Sequence, residues 1–246
     1  MKIYYFPKGN LKIVALLGLV LMASIGFALN YYKAPVMVSQ QNPIYQGTTG
    51  QKNVAITVNV DWGEEYIPAM LDEFKKNNAK VTFFVTGRWA QKNVKLLQRM
   101  AKEGHSIQNH GYKHCHFSSL SSSQTAVEIK KADEVISGIT GKKTAYFASP
   151  YGEFNRQIID GASSIDYKLI MWSVDTIDWQ RPSPYIIVNR VMNKVHNDAI
   201  ILMHPTEPTV QALPDLLKQL KAQNYHMVTV DKILTSPSEN NGNAKK

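Results

Sequence analysis

Short apolar runs alternate with amphipathic stretches from residue 54 to residue 229, and that alternation constrains the fold more than any other feature of the chain. Val54–Val60 (VAITVNV), Lys80–Val85 (KVTFFV), Ser106–Asn109, Tyr146–Ala148, Lys168–Trp172, Ala199–Met203 (AIILM) and His226–Thr229 read as strands, the apolar ones as buried strands. Between them, apolar residues fall at helical spacing over Ile67–Asn78, Asn93–Glu103, Ser122–Ile139, Asn155–Ser164, Ser183–Val195 and Val210–Gln223. Ser122 or Ser123 is the expected cap of the third of these helices, and Gly141 lies beyond its end. Strand and helix in turn mean βα units and parallel strands. An open doubly wound sheet and a closed barrel both fit. Polar clusters follow directly after Val60, Asn109, Ala148, Trp172 and Met203. Convergence from five strands is simplest at the C-terminal face of a barrel. The expected class is therefore α/β with parallel strands, and the convergence is easier in a barrel than in an open sheet.

The segments outside this pattern set the expected organisation. Lys2, Lys8 and Lys12 precede an uncharged apolar stretch, Ile13–Leu29. That is the short end of what spans a bilayer, with the charge asymmetry of an N-in, C-out helix. A cleavable signal peptide competes with this reading, although Gly26-Phe27-Ala28 matches the small-x-small cleavage pattern poorly. The expected division is a signal anchor with a transmembrane helix over residues 1–32, a linker over 33–51, the domain over 52–236 and a disordered tail over 237–246. The domain is expected outside the cytoplasm, on a single-pass membrane anchor. A lone cysteine, Cys115, allows no intrachain disulfide. The net charge of +9 suits an anionic partner such as a lipid surface or a wall polymer. Basic residues form no dense block and do not interleave with aromatics, which argues against nucleic acid.

His110 and His114 stand four apart after a strand, a spacing that places two imidazoles on one side of a turn and suits a divalent metal or a structural pair. His116 and Cys115 are neighbours, but adjacent residues in a turn point apart. Cys115 reads as a small packed residue. Asn59 and Asp61 lie on one side of the first strand. Asp61 is a candidate third metal ligand or a turn aspartate. Asp175 and Asp178 in WSVDTIDWQ, with Trp179, suit orientation of a histidine or stacking on a sugar. His204 follows an apolar strand and needs a polar partner, for which one of those aspartates is the natural choice.

With these motifs in order along the chain, residues 52–234 resemble the polysaccharide deacetylases of the NodB-homology type, carbohydrate esterase family four. His110–His114 is similar to the family's H-x-x-x-H metal motif, and Ser149-Pro150-Tyr151-Gly152 to the end of R-x-P-x-G. Asp175–Trp179 is similar to D-x-x-D-W, and Leu202-Met203-His204 to the closing L-x-H. Runs such as NVDWGEEY and TIDWQRPSP are similar to a sporulation-associated, YlxY-like branch. The resemblance implies a distorted (β/α) barrel of about seven units, and metal-assisted removal of N-acetyl groups from peptidoglycan or another wall or cortex amino-sugar polymer. It implies a divalent metal (zinc, or cobalt or manganese) on Asp61, His110 and His114. It implies His204 as acid, oriented by Asp178 or Asp175, and substrate contacts from Pro150, Tyr151, Gly152 and Trp179. Two departures matter. Asn59 stands where the family has its base aspartate, and an amide accepts no proton. Ala148 stands where the family has the arginine that pairs with that aspartate. Losing both avoids a lone buried charge. Asp175, Glu64 and Glu65 are the candidate substitute bases. A catalytically inactive glycan-binding protein of the same fold is the alternative, with Trp62, Trp172, Trp179, Tyr112 and Tyr151 as stacking platforms.

Overall fold

The computed structural model describes residues 1–2, 8–31 and 42–235; the expected tail and most of the expected linker lie outside these residues. The chain divides into two compact units, residues 1–38 and 39–246. In the first, Lys8–Tyr31 form one helix of 24 residues. Its described side chains from residue 13 to residue 27 are exposed all round. Among the described residues no helix is long and apolar enough to cross a membrane. The uncharged stretch Ile13–Leu29 spans about 26 Å at 1.5 Å per residue, short of the roughly 30 Å of a hydrocarbon core. The transmembrane helix expected from the sequence is thus not found among the described residues.

The described residues of the second unit hold eight strands, all pairing parallel: β1 (Asn53–Val60), β2 (Thr82–Val85), β3 (Ser106–Asn109), β4 (Tyr146–Phe147), β5 (Lys168–Leu169), β6 (Val174–Asp175), β7 (Ala199–Met203) and β8 (His226–Val228). Seven follow one path, β5-β4-β3-β2-β1-β7-β6, and β8 pairs with β1 beside it. Strand β1 is central because its two ends have different neighbours. Asn53–Ala55 pair with β8, Thr57–Val60 with β2, and Val54–Val58 with β7 on the other side.

The period of two along β1 sorts its residues between two cores. Val54, Ile56, Val58 and Val60 join Phe83, Leu71 and Leu213 in the layer between strands and helices. Ala55 joins Phe84, Ala148, Ile170, Ile200 and Val230 in a smaller cluster on the opposite face of the strands. Asn59 continues the face of Ala55 and is itself buried. The residues that decide the chemistry are therefore continuations of the strand face opposite the helices.

The helices keep the expected spacing with shifted ends. Ser121, rather than Ser122 or Ser123, caps Ser122–Thr140, in a reciprocal capping box with Gln124, and Gly141 closes it in the left-handed conformation. Asn155 caps Arg156–Ser163, its side chain accepting from the Ile158 N–H at 2.9 Å. Three elements fall outside the sequence reading: the helices Gly87–Lys92 and Val230–Leu234, and β6.

Candidate active site

Side chains from the C-terminal ends of β1, β2, β3, β4 and β7 meet in one cleft. Asp61 follows β1. Its Oδ1 accepts from Thr86 Oγ1 and from Arg88 Nε, both at 2.7 Å, and Arg88 Nη2 donates to Oδ2. Thr86 also caps the helix Gly87–Lys92, which carries Arg88. Burial pushes the Asp61 carboxyl up, but the hydrogen bonds from Arg88 and Thr86 and the charges of Arg88 and His114 outweigh it and hold it below the usual range. The guanidinium rises in return.

His110 ends β3 and is fully enclosed. Its Nδ1 donates to the Ala148 carbonyl at 2.7 Å, which leaves Nε2 bare. Burial first, then the nearby His114, lowers its pKa to about 3, so the ring is neutral. His114 lies with its ring centroid 5.1 Å from that of His110. Burial lowers its pKa too, opposed by Asp61 and reinforced by Arg88. His116 turns away onto Glu153, its Nδ1 2.6 Å from Oε1, and its ring stacks on Tyr151 at 4.2 Å. Cys115 is half-buried and burial raises its pKa, in keeping with a packed thiol.

His204 follows β7 and is held by Asp178. One carboxylate oxygen faces Nδ1 at 2.8 Å, and the other accepts from the His204 N–H at 2.7 Å and from Thr209 Oγ1 at 2.6 Å. Asp178 is wholly buried. The turn that delivers it puts Ile177 and Arg181 in the left-handed region, and Arg190 Nη1 donates to the carbonyls of Thr176 and Ile177. For a β-branched residue that conformation costs about 1–2 kcal/mol, so the surrounding bonds hold the turn against its own preference. Trp62 lies parallel to the His204 ring, centroids 6.3 Å apart. Gly63 makes this possible: at φ +80° it passes so close to Pro205 that a Cβ would stand 2.3 Å from the Pro205 carbonyl.

Asn59 and Ala148 are both buried. The Asn59 Oδ1 has no hydrogen-bond partner, and the neighbouring Ser149 Oγ has none either. Pro150–Gly152 form a tight turn in which Tyr151 adopts φ +60° and presents a ring that is 59 % exposed. Trp179 is 56 % and Trp62 40 % exposed. Trp172 instead packs on the cluster that holds Ala148. Tyr112 bonds Gln91 and carries Lys131 over its ring.

The sequence reading and the structure differ over the metal set and the substitute bases. Asp61, expected beside His110 and His114 as a ligand, has both oxygens on Arg88. Among the described residues no three His, Cys, Asp or Glu side chains converge where an ion could be held. The residues as placed do not fit the implied metal. Asp175 is bound to Trp172 Nε1 at 3.2 Å and to the Ile177 N–H at 2.8 Å, so Asp178 alone orients His204. Glu64 accepts from Trp89 Nε1 at 3.3 Å, and Glu65 is exposed. Arg88, Thr86, Thr209 and Arg190 escaped the sequence reading. Only Arg88 left a trace there, as the first charged residue after the strand KVTFFV.

The polysaccharide deacetylase family model matches residues 46–170. YlxY of Bacillus subtilis is 42% identical over 195 residues, which are 79% of this chain and 61% of that protein, so the chain spans less than two thirds of its length. A peptidoglycan-N-acetylglucosamine deacetylase of Bacillus cereus is 30% identical over 200 residues, 79% of this chain and 73% of that protein. Among solved structures, a CE4 family pseudoenzyme from Bacillus anthracis matches with TM-score 0.77 at 38% identity, covering 79% of this chain and 69% of that one. A mutant of that pseudoenzyme with restored enzymatic activity matches with TM-score 0.77 at 36% identity, covering 79% and 72%.

Proposed function

Because the chain belongs to the polysaccharide deacetylase family, we propose that it binds an N-acetylated amino-sugar chain of peptidoglycan in this cleft, with hydrolysis of the amide suppressed. The observation that carries the reading is the commitment of Asp61 to Arg88 beside an amide, Asn59, where a base would be needed. Peptidoglycan is the polymer named for the Bacillus cereus relative. The exposed rings of Trp62, Tyr151 and Trp179 suit sugar faces, which stack on aromatics. General-base catalysis is typically worth 10²–10⁴-fold, so its absence alone cuts turnover deeply.

A specific observation favours a second reading, slow hydrolysis. The His204–Asp178 pair is intact and neutral His110 keeps a bare Nε2. One experiment separates the two. Titrating the protein with an N-acetylglucosamine oligomer should quench tryptophan fluorescence, and Trp62→Ala with Trp179→Ala should weaken binding about tenfold, the factor that corresponds to 1.4 kcal/mol. Acetate release by the unsubstituted chain should lie at least about 100-fold below that of Asn59→Asp with Ala148→Arg. Equal rates would sink the suppressed-site reading and leave the slow-enzyme one. The domain works outside the cytoplasm in this proposal, attached to a membrane by the apolar helix Lys8–Tyr31. An all-round apolar helix surface needs a non-aqueous partner.

A further inference from the structure

At the end of the strands opposite the cleft lie two cavities, of about 750 Å³ and about 560 Å³. Asn53 and His226, the first residues of β1 and β8, line the larger one. Ser106, the first residue of β3, lines the smaller. Gly104 and Thr229 line both, so the two are neighbours along one groove. Strand β1 separates this groove from Asp61 by roughly 26 Å at 3.3 Å per residue.

The charge of the groove is one-sided. Lys80, Lys221 and Lys232 line the larger cavity, which has no carboxylate in its wall. Lys102, Lys142 and Lys143 line the smaller, with Asp231 its single acid. Where these ammonium groups make hydrogen bonds, the acceptors are neutral: Lys80 Nζ donates to the Glu103 carbonyl at 2.6 Å and Lys221 Nζ to Asn77 Oδ1 at 3.2 Å. The Glu103 carboxylate is taken by Arg99 Nε at 2.8 Å. Among the described residues none of the six lysines is in an ion pair. The field reaches His105 beneath the groove, where the Lys80 charge adds to burial in lowering its pKa to about 4. The larger wall also carries amides and hydroxyls, among them Asn53, Asn77, Asn78 and Thr49, beside Tyr225, His226, Met227 and Val228.

We propose that this groove binds a linear polyanion whose phosphates are spaced along a hydroxylated backbone, a poly(polyol phosphate). Six point charges spread over two adjoining cavities suit phosphates. Neither wall contains the arginine fork that matches a carboxylate. The amides and hydroxyls between the lysines suit the polyol hydroxyls, as donors and as acceptors. Tyr225 is the single Phe, Tyr or Trp of the two walls, with His226 and His105 their only other rings. The stacking platform that single-stranded nucleic acid uses is thus missing. The groove is concave, whereas a bilayer presents its headgroups as a plane. A chain held here and a glycan held in the cleft would bind at opposite ends of one domain without competing.

Binding to the full-length protein is measured with two probes, short-chain inorganic polyphosphate and a poly(glycerol phosphate) oligomer, across a range of salt. Both should bind, more weakly as salt rises. Lys80→Gln with Lys221→Gln and Lys232→Gln should lose at least tenfold, and so should Lys102→Gln with Lys142→Gln and Lys143→Gln. Each set should flatten the salt dependence. The control Lys75→Gln with Lys92→Gln and Lys95→Gln removes the same charge from exposed helix positions and should change affinity less than twofold. Binding of the N-acetylglucosamine oligomer should be untouched by all three sets, which also shows that they fold. An equal loss in the control would reduce the effect to net charge and overturn the site. So would equal binding of a single-stranded oligonucleotide of matched charge, or displacement of both probes by monomeric short-chain phosphatidylglycerol at matched phosphate concentration.

Discussion

At residue 88 the protein places a permanent cation on the carboxylate that the motif resemblance assigns to a metal ion. The Arg88 guanidinium takes both oxygens of Asp61 in a paired, fork-like contact, and it never deprotonates in the working range. An ion would have to displace a bonded arginine before it could use this carboxylate. The consequence is measurable with cobalt, whose visible absorption reports coordination. The unsubstituted chain should show little tetrahedral Co²⁺ signal, and Arg88→Ala should bind Co²⁺ at least tenfold more tightly. If the two titrate alike, Arg88 is not what withholds Asp61. At position 105, protonation would cost stability. His105 Nδ1 accepts from the Val81 N–H at 3.2 Å, and its ring packs on Phe74 and Phe83. Its pKa is depressed to about 4 from an ordinary 6.5, chiefly by burial. The neutral ring is the stable form, so this contribution is complete above pH 6.5. It declines as pH falls toward 4, by a few kcal/mol on the order of 1.4 per unit. Urea melts of His105→Gln should lose that slope; an unchanged slope would show that His105 is not its source.

At the scale of elements, strands and helices were readable because period two and period 3.6 are written in the apolar residues. Seven strands and six helices of the domain follow from that, with ends shifted by a few residues. What failed was short or polar. Strand β6 has two residues, Val174 and Asp175, too few to show a period. The helix Gly87–Lys92 opens on a glycine and has a single turn and a half. That omission hid Arg88 from the site. The histidine and aspartate motifs were legible, since each sits at a strand end. Their pairing was not, because Asp61–Arg88 and Asp178–His204 join different loops and only folding decides which of two aspartates reaches His204. The Gly63 turn carries a prediction of its own. Gly63→Ala should cost about 1–3 kcal/mol, as a strained backbone with a steric clash does. It should also weaken oligosaccharide binding by moving Trp62 off His204. A stable variant with full affinity would separate that loop from recognition.

For the whole molecule, the helix Lys8–Tyr31 and the domain belong to separate compact units, and the proposed membrane attachment rests on the first alone. Deleting residues 1–32 should move the protein from the membrane fraction to the soluble one with glycan binding intact. Recovery of both forms in the same fraction would remove the helix as an attachment. Within the domain, the strand that bears Asn59 is also the one whose neighbours arrive last. Asn53–Ala55 wait for His226–Val228, and Val54–Val58 wait for Ala199–Met203. At about 5–20 residues per second of synthesis, the chain spends on the order of ten to thirty seconds between making β1 and making its final partner. Until β7 is made the central strand has only β2 beside it, a parallel pair with an open edge. Assembly of the cleft is thus tied to completion of the polypeptide. A chain cut short before β7 should be left with a bare hydrophobic edge and taken by proteases, rather than persist as a partly working protein.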